Sequence, residues 1–315
     1  MVREPVQATG PVLEPVSPAV EAPADSVTVG AGSAAWAGLV ADLAVRALVQ
    51  EAELTPKPAL VDRRGGGAHD DMDLEMLRRS AYALLPTYVA LATRAHRCAP
   101  SRQLREDLAA IGRRGEGAMF AVTGGVNTHR GAIWTLGLLA AAATMAAPGT
   151  PPAGIAAIAG RVAAFPDRYA PTEISHGCLV TRCYGVVGAR GEARRGFPHV
   201  VGVALPALRT AREAGCSERL ARLDALVALI ANVDDTCLLH RGGRAALRDA
   251  QTGARAMLDA GGNATVTGRR ALRSLEAALL HDNASPGGSA DLLAAALFLD
   301  ALDHAAATPI LEEVA

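Results

Sequence analysis

The chain has 315 residues, of which 50% are hydrophobic and 3% are aromatic, and its formal net charge is −1. This charge gives no basis for nucleic-acid or membrane-surface binding, and five scattered cysteines match a secreted disulfide framework poorly. Because aromatic residues are scarce, alanine, leucine and valine must fill the core, which favours closely packed helices. We therefore expect an all-α protein in a reducing, cytoplasmic setting.

Residues 1–33 are rich in proline, valine and glutamate and lack the basic and then apolar order of a signal peptide. They predict a disordered leader that carries no chemistry. Residues 34–308 predict one compact, all-helical catalytic domain whose active site is built from the loops between helices. No repeat period is evident, which disfavours a solenoid. The longest apolar run, residues 132–147, is shorter than the roughly 20 residues that span a bilayer and predicts a buried core helix.

Apolar residues recur at the three-and-four spacing of amphipathic helices along most of the domain. Strand patterns are almost absent. The predicted helices cover residues 34–54, 74–97, 102–122, 128–145, 152–164, 200–214, 218–239, 244–260, 267–280 and 289–306.

The first polar segment, residues 55–73, packs the only lysine of the chain and four aspartates around a triple-glycine turn. The two prolines beside Lys57 exclude a helix there. Aspartates are hard oxygen ligands of the kind that Mg²⁺ prefers, and arginines suit phosphate oxygens. The segment therefore predicts a polyphosphate and metal site, with Asp70 and Asp71 on the metal and Lys57 and Arg63 on phosphate. The alternative is a solvated loop between two helices.

The second segment, residues 124–137, reads GGVNTHRGAIWTLG. Asn127 or Thr128 lies where a helix N-cap belongs, and His129 and Arg130 follow in the first turn. Free N–H groups of a first helical turn bind anions, so we predict phosphate contacts from His129 and Arg130. An ordinary capped helix is the alternative.

The third segment, residues 176–198, interrupts the helical pattern for longest and is rich in arginine. Glu192 is its single carboxylate. An isolated acid among arginines requires either an ion-pair network or bound phosphates around it. We predict that Arg190 contacts phosphate and that Glu192 is the catalytic base, against the alternative of a solvated basic loop.

The fourth and fifth segments, residues 232–243 and 283–293, contribute further acids. Asp234 and Asp235 follow an apolar helix, and acids at a helix C-terminus oppose the macrodipole, which hints at a function. We predict both as metal ligands, Asp235 also as a catalytic residue, and Arg241 as a phosphate partner. Ser289 is the predicted N-cap of the last helix and a further phosphate contact. Asp291 in that first turn is ordinary capping chemistry when taken alone.

Five ordered motifs then give a specific resemblance. The motifs KPALVDRRGGGAHDDMD, GVNTHRGAI, GARGEARRGFP, DDTCLLHRGG and SPGGSADLL are similar to those of the triphosphoribosyl-dephospho-CoA synthases over roughly residues 50–300. Two positions depart from the family pattern, because the family usually has glycine at the position of Ala59 and asparagine at that of Cys237. Neither departure removes a charge.

The resemblance implies a helical enzyme that joins the triphosphoribosyl group of ATP to the 2′-hydroxyl of 3′-dephospho-CoA and releases adenine. It implies Mg²⁺ as cofactor and inversion at C1′ of the ribose. The product would pass to a phosphoribosyl-dephospho-CoA transferase that acts on an acyl-carrier protein of malonate decarboxylase or citrate lyase. Because the sequence shows no fused second enzyme, the former is favoured.

Two other classes of function stay open from the residues alone. Acids set between helices are also expected of a metal-dependent phosphohydrolase or an ADP-ribosyl hydrolase, which would transfer to water. A non-catalytic helical module that binds nucleotide or a partner is the third reading.

Overall fold

The computed structural model describes residues 31–172 and 176–307. The residues in these two ranges are 75% helical and include no strand, which confirms the all-α prediction. An isolated bridge between Asp62 and Gly65 closes the turn of the first polar segment. The predicted leader lies outside the described residues except for 31–33, which begin the first helix.

The first half of the chain supplies the central layer. Helix α5 is apolar on all sides and packs against α3, α6 and α13, and α1 packs against α3 and α13. Runs of alanine let these helices approach closely. The helices in this half are α1 (Ala31–Glu53), α2 (Leu74–Ala83), α3 (Leu85–Ala95), α4 (Arg102–Thr123), α5 (Arg130–Met145) and α6 (Pro152–Ala164).

The second half encloses that layer and ends in the apolar α13, which lies against α1, α5 and α10. A π-helical turn, Val200–Ala204, precedes α9, and a 3₁₀ turn, Gly262–Ala264, precedes α12. The helices are α7 (His176–Tyr184), α8 (Gly188–Arg194), α9 (Leu205–Glu213), α10 (Glu218–Asn232), α11 (Thr236–Asp259), α12 (Val266–His281) and α13 (Gly287–Ala307).

The predicted helices differ from the structure mainly at breaks. The predicted helix 74–97 is divided at Leu84, because Pro86 lacks the N–H that an uninterrupted helix would need. The predicted helix 218–239 ends at Asn232, and Thr236 begins α11. Helix α11 runs through the predicted gap before residue 244, with a kink at Gly243. The third polar segment forms two short helices that the sequence did not predict.

Among the described residues, one helix, Gly32–Glu53, is long and apolar enough to cross a membrane. The core helix of a soluble protein can be equally long and apolar. Val40, Ala44 and Leu48 of this helix are fully or almost fully buried within the protein. We therefore describe α1 as a core helix.

Candidate active site

The segment 55–73 folds as a compact loop that buries its lysine. Lys57 is 1% exposed, and its ammonium donates to the Glu51 carboxylate of α1 at 2.5 Å. The Lys57 backbone N–H donates to Asp62 Oδ2 at 2.8 Å. A buried charge is tolerated when an opposite charge and hydrogen bonds satisfy it. The alternative of a solvated loop is therefore wrong for this end of the segment.

Glycine and left-handed backbone close the same loop. Gly67 has a φ of 62°, and a Cβ there would lie 2.5 Å from the carbonyl oxygen of Ala59. Ala59 itself has a φ of 55°. A residue with a Cβ adopts this conformation at a cost of about 1 kcal/mol. The glycine that is usual at this position in the resembled family thus has a conformational reason.

The two arginines of the loop bind carboxylates of the protein. Arg64 donates to Asp62 and to Glu276 of α12, both at 2.7 Å. Arg63 donates to Glu53 at 2.9 Å, and 57% of its side chain is exposed. An exposed pair contributes little to stability, so Arg63 can exchange Glu53 for an anion in solution.

The second motif places a neutral histidine inside the protein. His129 is 4% exposed, its Nδ1 lies 2.9 Å from Ser80 Oγ, and its Nε2 has no hydrogen-bond partner among the described residues. Burial first, and then the charge of Lys57, lower the pKa of His129 to about 4. A neutral ring attracts phosphate weakly, so the geometry does not favour His129 as a phosphate contact. Asn127 Oδ1 accepts the Arg130 N–H at 3.2 Å, but the N-cap position of α5 is His129, so the predictions of Asn127 or Thr128 as the N-cap and of His129 within the first turn are wrong.

Asp235 joins the first turns of two helices. Its carboxylate accepts the Cys237 N–H of α11 at 2.8 Å and the Gly288 N–H of α13 at 3.3 Å. Ser289 donates its N–H and its hydroxyl to the same carboxylate at 2.7 and 2.9 Å. The sequence expectation that Asp235 opposes a helix dipole is wrong. Because α10 ends earlier, Asp235 is the N-cap of α11, where a carboxylate interacts favourably with the dipole.

These four hydrogen bonds bear on the predicted roles of Asp235 and Ser289. A carboxylate has about four lone-pair sites, and protein donors use them all here. A metal ion on Asp235, or a phosphate on Ser289, would have to displace hydrogen bonds that join α11 to α13. The geometry therefore favours a structural role for both residues.

Asp291 differs from Asp235. Because α13 begins at Gly287, Ser289 is inside the helix and is not its N-cap, and Asp291 lies just past the first turn. It is partly exposed, and no described residue donates a hydrogen bond to its carboxylate. A Cβ at Gly131 would collide with Asp291 Oδ2, so a larger residue at this point of α5 would displace the Asp291 carboxylate. Burial, and then the charges of Glu51 and Asp235, raise the pKa of Asp291 well above its ordinary value. No pattern along the chain distinguishes this acid from a capping residue.

These groups form one cluster, which we call the polar core: Glu51, Lys57, His129, Asp235 and Asp291. The first turns of α5, α11 and α13 meet there, because Asp235 bridges α11 and α13 and Asp291 rests on Gly131 of α5. Helix N-termini present free N–H groups and positive potential, which attract anions. The polar core thus combines anion-attracting helix ends with carboxylates suited to proton transfer or to stabilising a cation.

The third segment builds a separate acid and histidine pair. Glu192 is 5% exposed, and its two oxygens accept the His199 backbone N–H at 2.8 Å and lie 2.7 Å from His199 Nδ1. The hydrogen bond that the His199 ring donates to Glu192 is the largest cause of the raised pKa of His199, and the charge of Asp234 contributes to it. Because both Glu192 oxygens are engaged, the geometry favours Glu192 as a group that orients His199 over its predicted role as a free base.

The remaining predicted phosphate partners lie at the surface. Arg241 donates to the Ala68 carbonyl at 2.7 Å and lies 3.1 Å from His69 Nδ1, so it fastens the first loop to α11. Arg130 pairs with Glu116 at 3.0 Å. Arg190 is exposed and forms no ion pair with a described residue. Of these, Arg190 has the guanidinium most open to an anion.

The four predicted metal ligands are not gathered into one site. Within residues 31–172 and 176–307, no group of three or more His, Cys, Asp or Glu side chains is placed to hold a metal ion. Asp70 and Asp71 are exposed beside His69, and Asp234 is exposed beside His199. Mg²⁺ that is shared with substrate phosphates needs only one or two carboxylates, and the adjacent Asp70 and Asp71 fit that demand.

The comparisons with known proteins now bear on this geometry. A model of the family described as ATP:dephospho-CoA triphosphoribosyl transferase matches residues 37–309. The chain belongs to this triphosphoribosyl transferase family. A relative from Azotobacter vinelandii, named "Probable 2-(5''-triphosphoribosyl)-3'-dephosphocoenzyme-A synthase", is 56% identical over 272 residues, which are 86% of this chain and 93% of the relative. A relative of the same name from Pseudomonas fluorescens is 54% identical over 265 residues, or 84% and 91% of the two chains.

A solved structure from Archaeoglobus fulgidus, assigned to the triphosphoribosyl-dephospho-CoA synthases, is 18% identical. It covers 71% of this chain and 97% of its own, with a TM-score of 0.48, and adds nothing to the family assignment.

In this triphosphoribosyl transferase, sequence reasoning found the motifs and missed several members of the site. Glu51 lies inside the first helix, Tyr88 inside a predicted helix, and His199 at the edge of the third motif. The Tyr88 hydroxyl is buried and unpartnered among the described residues, and burial and then Asp291 raise its pKa. Glu51 and Tyr88 could have been found as polar residues on apolar helix faces, but that pattern does not predict which groups they contact.

Proposed function

We propose that this enzyme joins the triphosphoribosyl group of ATP to the 2′-hydroxyl of 3′-dephospho-CoA and releases adenine. The observation that carries the proposal is the family match over residues 37–309, within which the four motifs around Lys57, His129, Asp235 and Asp291 meet at the polar core. The reaction develops positive charge at C1′ of the ribose, and nearby carboxylates stabilise such a centre.

The triphosphate carries several negative charges that need counterparts. The exposed Arg63 and Arg190 and the helix N-termini at the polar core are the groups that would bind it. Asp70 and Asp71 would hold Mg²⁺, which when bound neutralises phosphate charge. Arg241 would keep the loop that carries Asp70 and Asp71 in place through its bonds to Ala68 and His69.

Lys57 takes a different part from the one that its sequence suggested. Its ammonium is enclosed and paired with Glu51, so its first effect is to hold the Glu51 carboxylate in place near Asp291. Because Lys57 is buried, a phosphate could contact it only after entering the polar core. Lys57 therefore supports the proposed reaction by setting the charge of the polar core.

The decisive experiment is incubation with ATP, Mg²⁺ and 3′-dephospho-CoA, followed by mass analysis of the products. We expect adenine in equal amount to triphosphoribosyl-dephospho-CoA, and only when the acceptor is present. Phosphate or free ribose triphosphate as the product would identify a hydrolase. Tight nucleotide binding with no adenine under any acceptor would identify a binding module.

We further propose that the product serves the acyl-carrier subunit of malonate decarboxylase. The motif resemblance limits the acceptor to the malonate decarboxylase or the citrate lyase system, and the sequence analysis favours the former. A coupled assay separates them: the product is offered, with each cognate phosphoribosyl-dephospho-CoA transferase, to the acyl-carrier protein of each system. Modification of the citrate lyase carrier alone would contradict the proposal.

A further inference from the structure

The three carboxylates of the polar core are not equivalent. Glu51 is held by the Lys57 ammonium, and Asp235 accepts four hydrogen bonds from α11 and α13. Asp291 accepts none from any described residue and keeps part of its surface exposed. Buried or half-buried carboxylates are normally hydrogen-bonded, so an unbonded one at a helix junction requires an explanation.

The surroundings of Asp291 point to a missing polar partner. Two buried polar atoms, the Tyr88 hydroxyl and His129 Nε2, also have no partner among the described residues. Tyr88 is close enough for the charge of Asp291 to raise its pKa, and His129 directly precedes α5, whose Gly131 lies against Asp291. Unpaired polar atoms that are buried cost about 1–3 kcal/mol each. Their presence on the elements that face one free carboxylate indicates a site for a ligand with hydroxyl groups.

Gly131 lies directly against Asp291. A larger residue there would displace Asp291 Oδ2 from its present place, so the glycine leaves space for this carboxylate at the first turn of α5. The first turns of α5 and α11 lie beside the same space. A nucleotide whose phosphates rest on helix N-termini would thus bring its ribose close to Asp291.

We propose that Asp291 is the base that accepts the proton of the 2′-hydroxyl of 3′-dephospho-CoA, an inference that rests on the proposed function. As the oxygen–hydrogen bond breaks, the 2′-oxygen forms its bond to C1′ of the ribose of ATP. The bond from C1′ to N9 breaks, and its electron pair leaves with adenine. Adenine takes up one proton and Asp291 releases one to solvent, so the overall reaction neither consumes nor produces a proton.

Two further observations agree with this assignment. The raised pKa of Asp291 makes its ionised form a stronger base than an ordinary carboxylate. Glu192, the other acid that the sequence singled out, has both oxygens engaged with His199. Asp291 thereby replaces Glu192 as the proton acceptor.

The test is Asp291→Asn, with Asp303→Asn as the matched control. Asp303 is on the same helix and pairs with Arg209 at 3.0 Å, away from the polar core. We measure adenine release with ATP, Mg²⁺ and 3′-dephospho-CoA, ATP binding, and the thermal midpoint. Loss of a base lowers kcat by roughly 10²–10⁴-fold. We expect that loss in Asp291→Asn with little change in ATP binding and an equal or higher thermal midpoint, because one of three neighbouring negative charges is removed.

Each other result has a defined meaning. A kcat within tenfold of the unaltered enzyme overturns the proposal. Recovery of Asp291→Asn at high Mg²⁺ would make Asp291 a metal ligand, and failure to fold would make it a structural residue, so either also overturns it. If the unaltered enzyme itself releases no adenine from ATP and 3′-dephospho-CoA, the proposed function fails, which is a separate result.

Discussion

The polar core and the segment of residues 176–198 are both rich in charge in the sequence, but the structure treats them in opposite ways. Lys57, Glu51 and Asp235 are each less than a tenth exposed, and each has a defined partner. The arginines of the segment are exposed to solvent. Charges interact far more strongly where water is excluded than at the surface, where it screens them. Burial, more than the density of charged residues, therefore distinguishes the polar core from segment 176–198 as a candidate active site.

The largest expected effect is that of Lys57→Met on stability. Arg63→Met, at an exposed ion pair, is its counterpart. The first leaves Glu51 buried without its partner, which typically costs about 3–5 kcal/mol. The second breaks a surface pair with Glu53 and costs at most about 1 kcal/mol. Urea unfolding measures both. Adding Glu51→Gln to Lys57→Met should recover part of the loss, and equal losses in the two single variants would contradict the contrast.

The pH dependence of stability tests His129. Its pKa falls from an ordinary 6.5 to about 4 on folding. The unfolded chain therefore binds a proton that the folded chain does not, so stability is full above pH 6.5 and declines as the pH falls towards 4, by about 3 kcal/mol. Unfolding curves across this range should lose that slope in His129→Gln. His281, with 88% of its side chain exposed, supplies the control His281→Gln, which should keep it.

Glu192→Gln sharpens the contrast between an orienting acid and a base. Removing the carboxylate should lower the pKa of His199 towards its ordinary value, as NMR titration of the ring would show. Because the pKa of His199 is raised on folding, its pair with Glu192 stabilises the unaltered protein fully at low pH, and this stabilisation is lost as the pH rises through the folded pKa. The stability of Glu192→Gln should not show this decrease. We expect kcat within about tenfold of the unaltered enzyme. A drop as large as that of Asp291→Asn would restore Glu192 as the base.

The smallest effect concerns the backbone of the first loop. Ala59→Gly should raise stability by up to about 1 kcal/mol, because glycine adopts the positive φ of 55° at this position without strain. Ala81→Gly, at a buried position in the last turn of α2, should instead lose up to about 1 kcal/mol. Thermal unfolding of both variants checks the signs. Destabilisation by Ala59→Gly would show that alanine is accommodated there without strain.

Much of the fold could be predicted because helix periodicity is a local property. The sequence predicted α4 to within one residue and α6 at both ends. It failed where one side chain decides between continuing and restarting a helix. Asp235 is such a case, since the same acid can end one helix or cap the next, and its hydrogen bonds to α11 and α13 make it a cap.

The site was predicted less completely than the fold. The motifs around Lys57, His129 and Asp235 do meet, but the chemical state of each residue differs from its expectation. His129 is neutral, Asp235 is saturated with hydrogen bonds, and Glu192 is bound to His199. Partners such as Asp235 and Ser289 are 54 residues apart in the chain, so no local pattern specifies them.

The sequence by itself determined that the protein is all-helical, that its polar motifs lie between helices, and, through their order, its family. Those properties follow from the spacing of apolar residues and from the identity of the motifs, both of which are local features of the sequence. The packing of the helices, in contrast, sets which acid lacks a hydrogen-bond donor among the described residues. Different helices pack around Asp291 and Asp235. A carboxylate that lacks hydrogen-bond donors and lies near other negative charges can act as a base, whereas one that accepts several hydrogen bonds holds helices together.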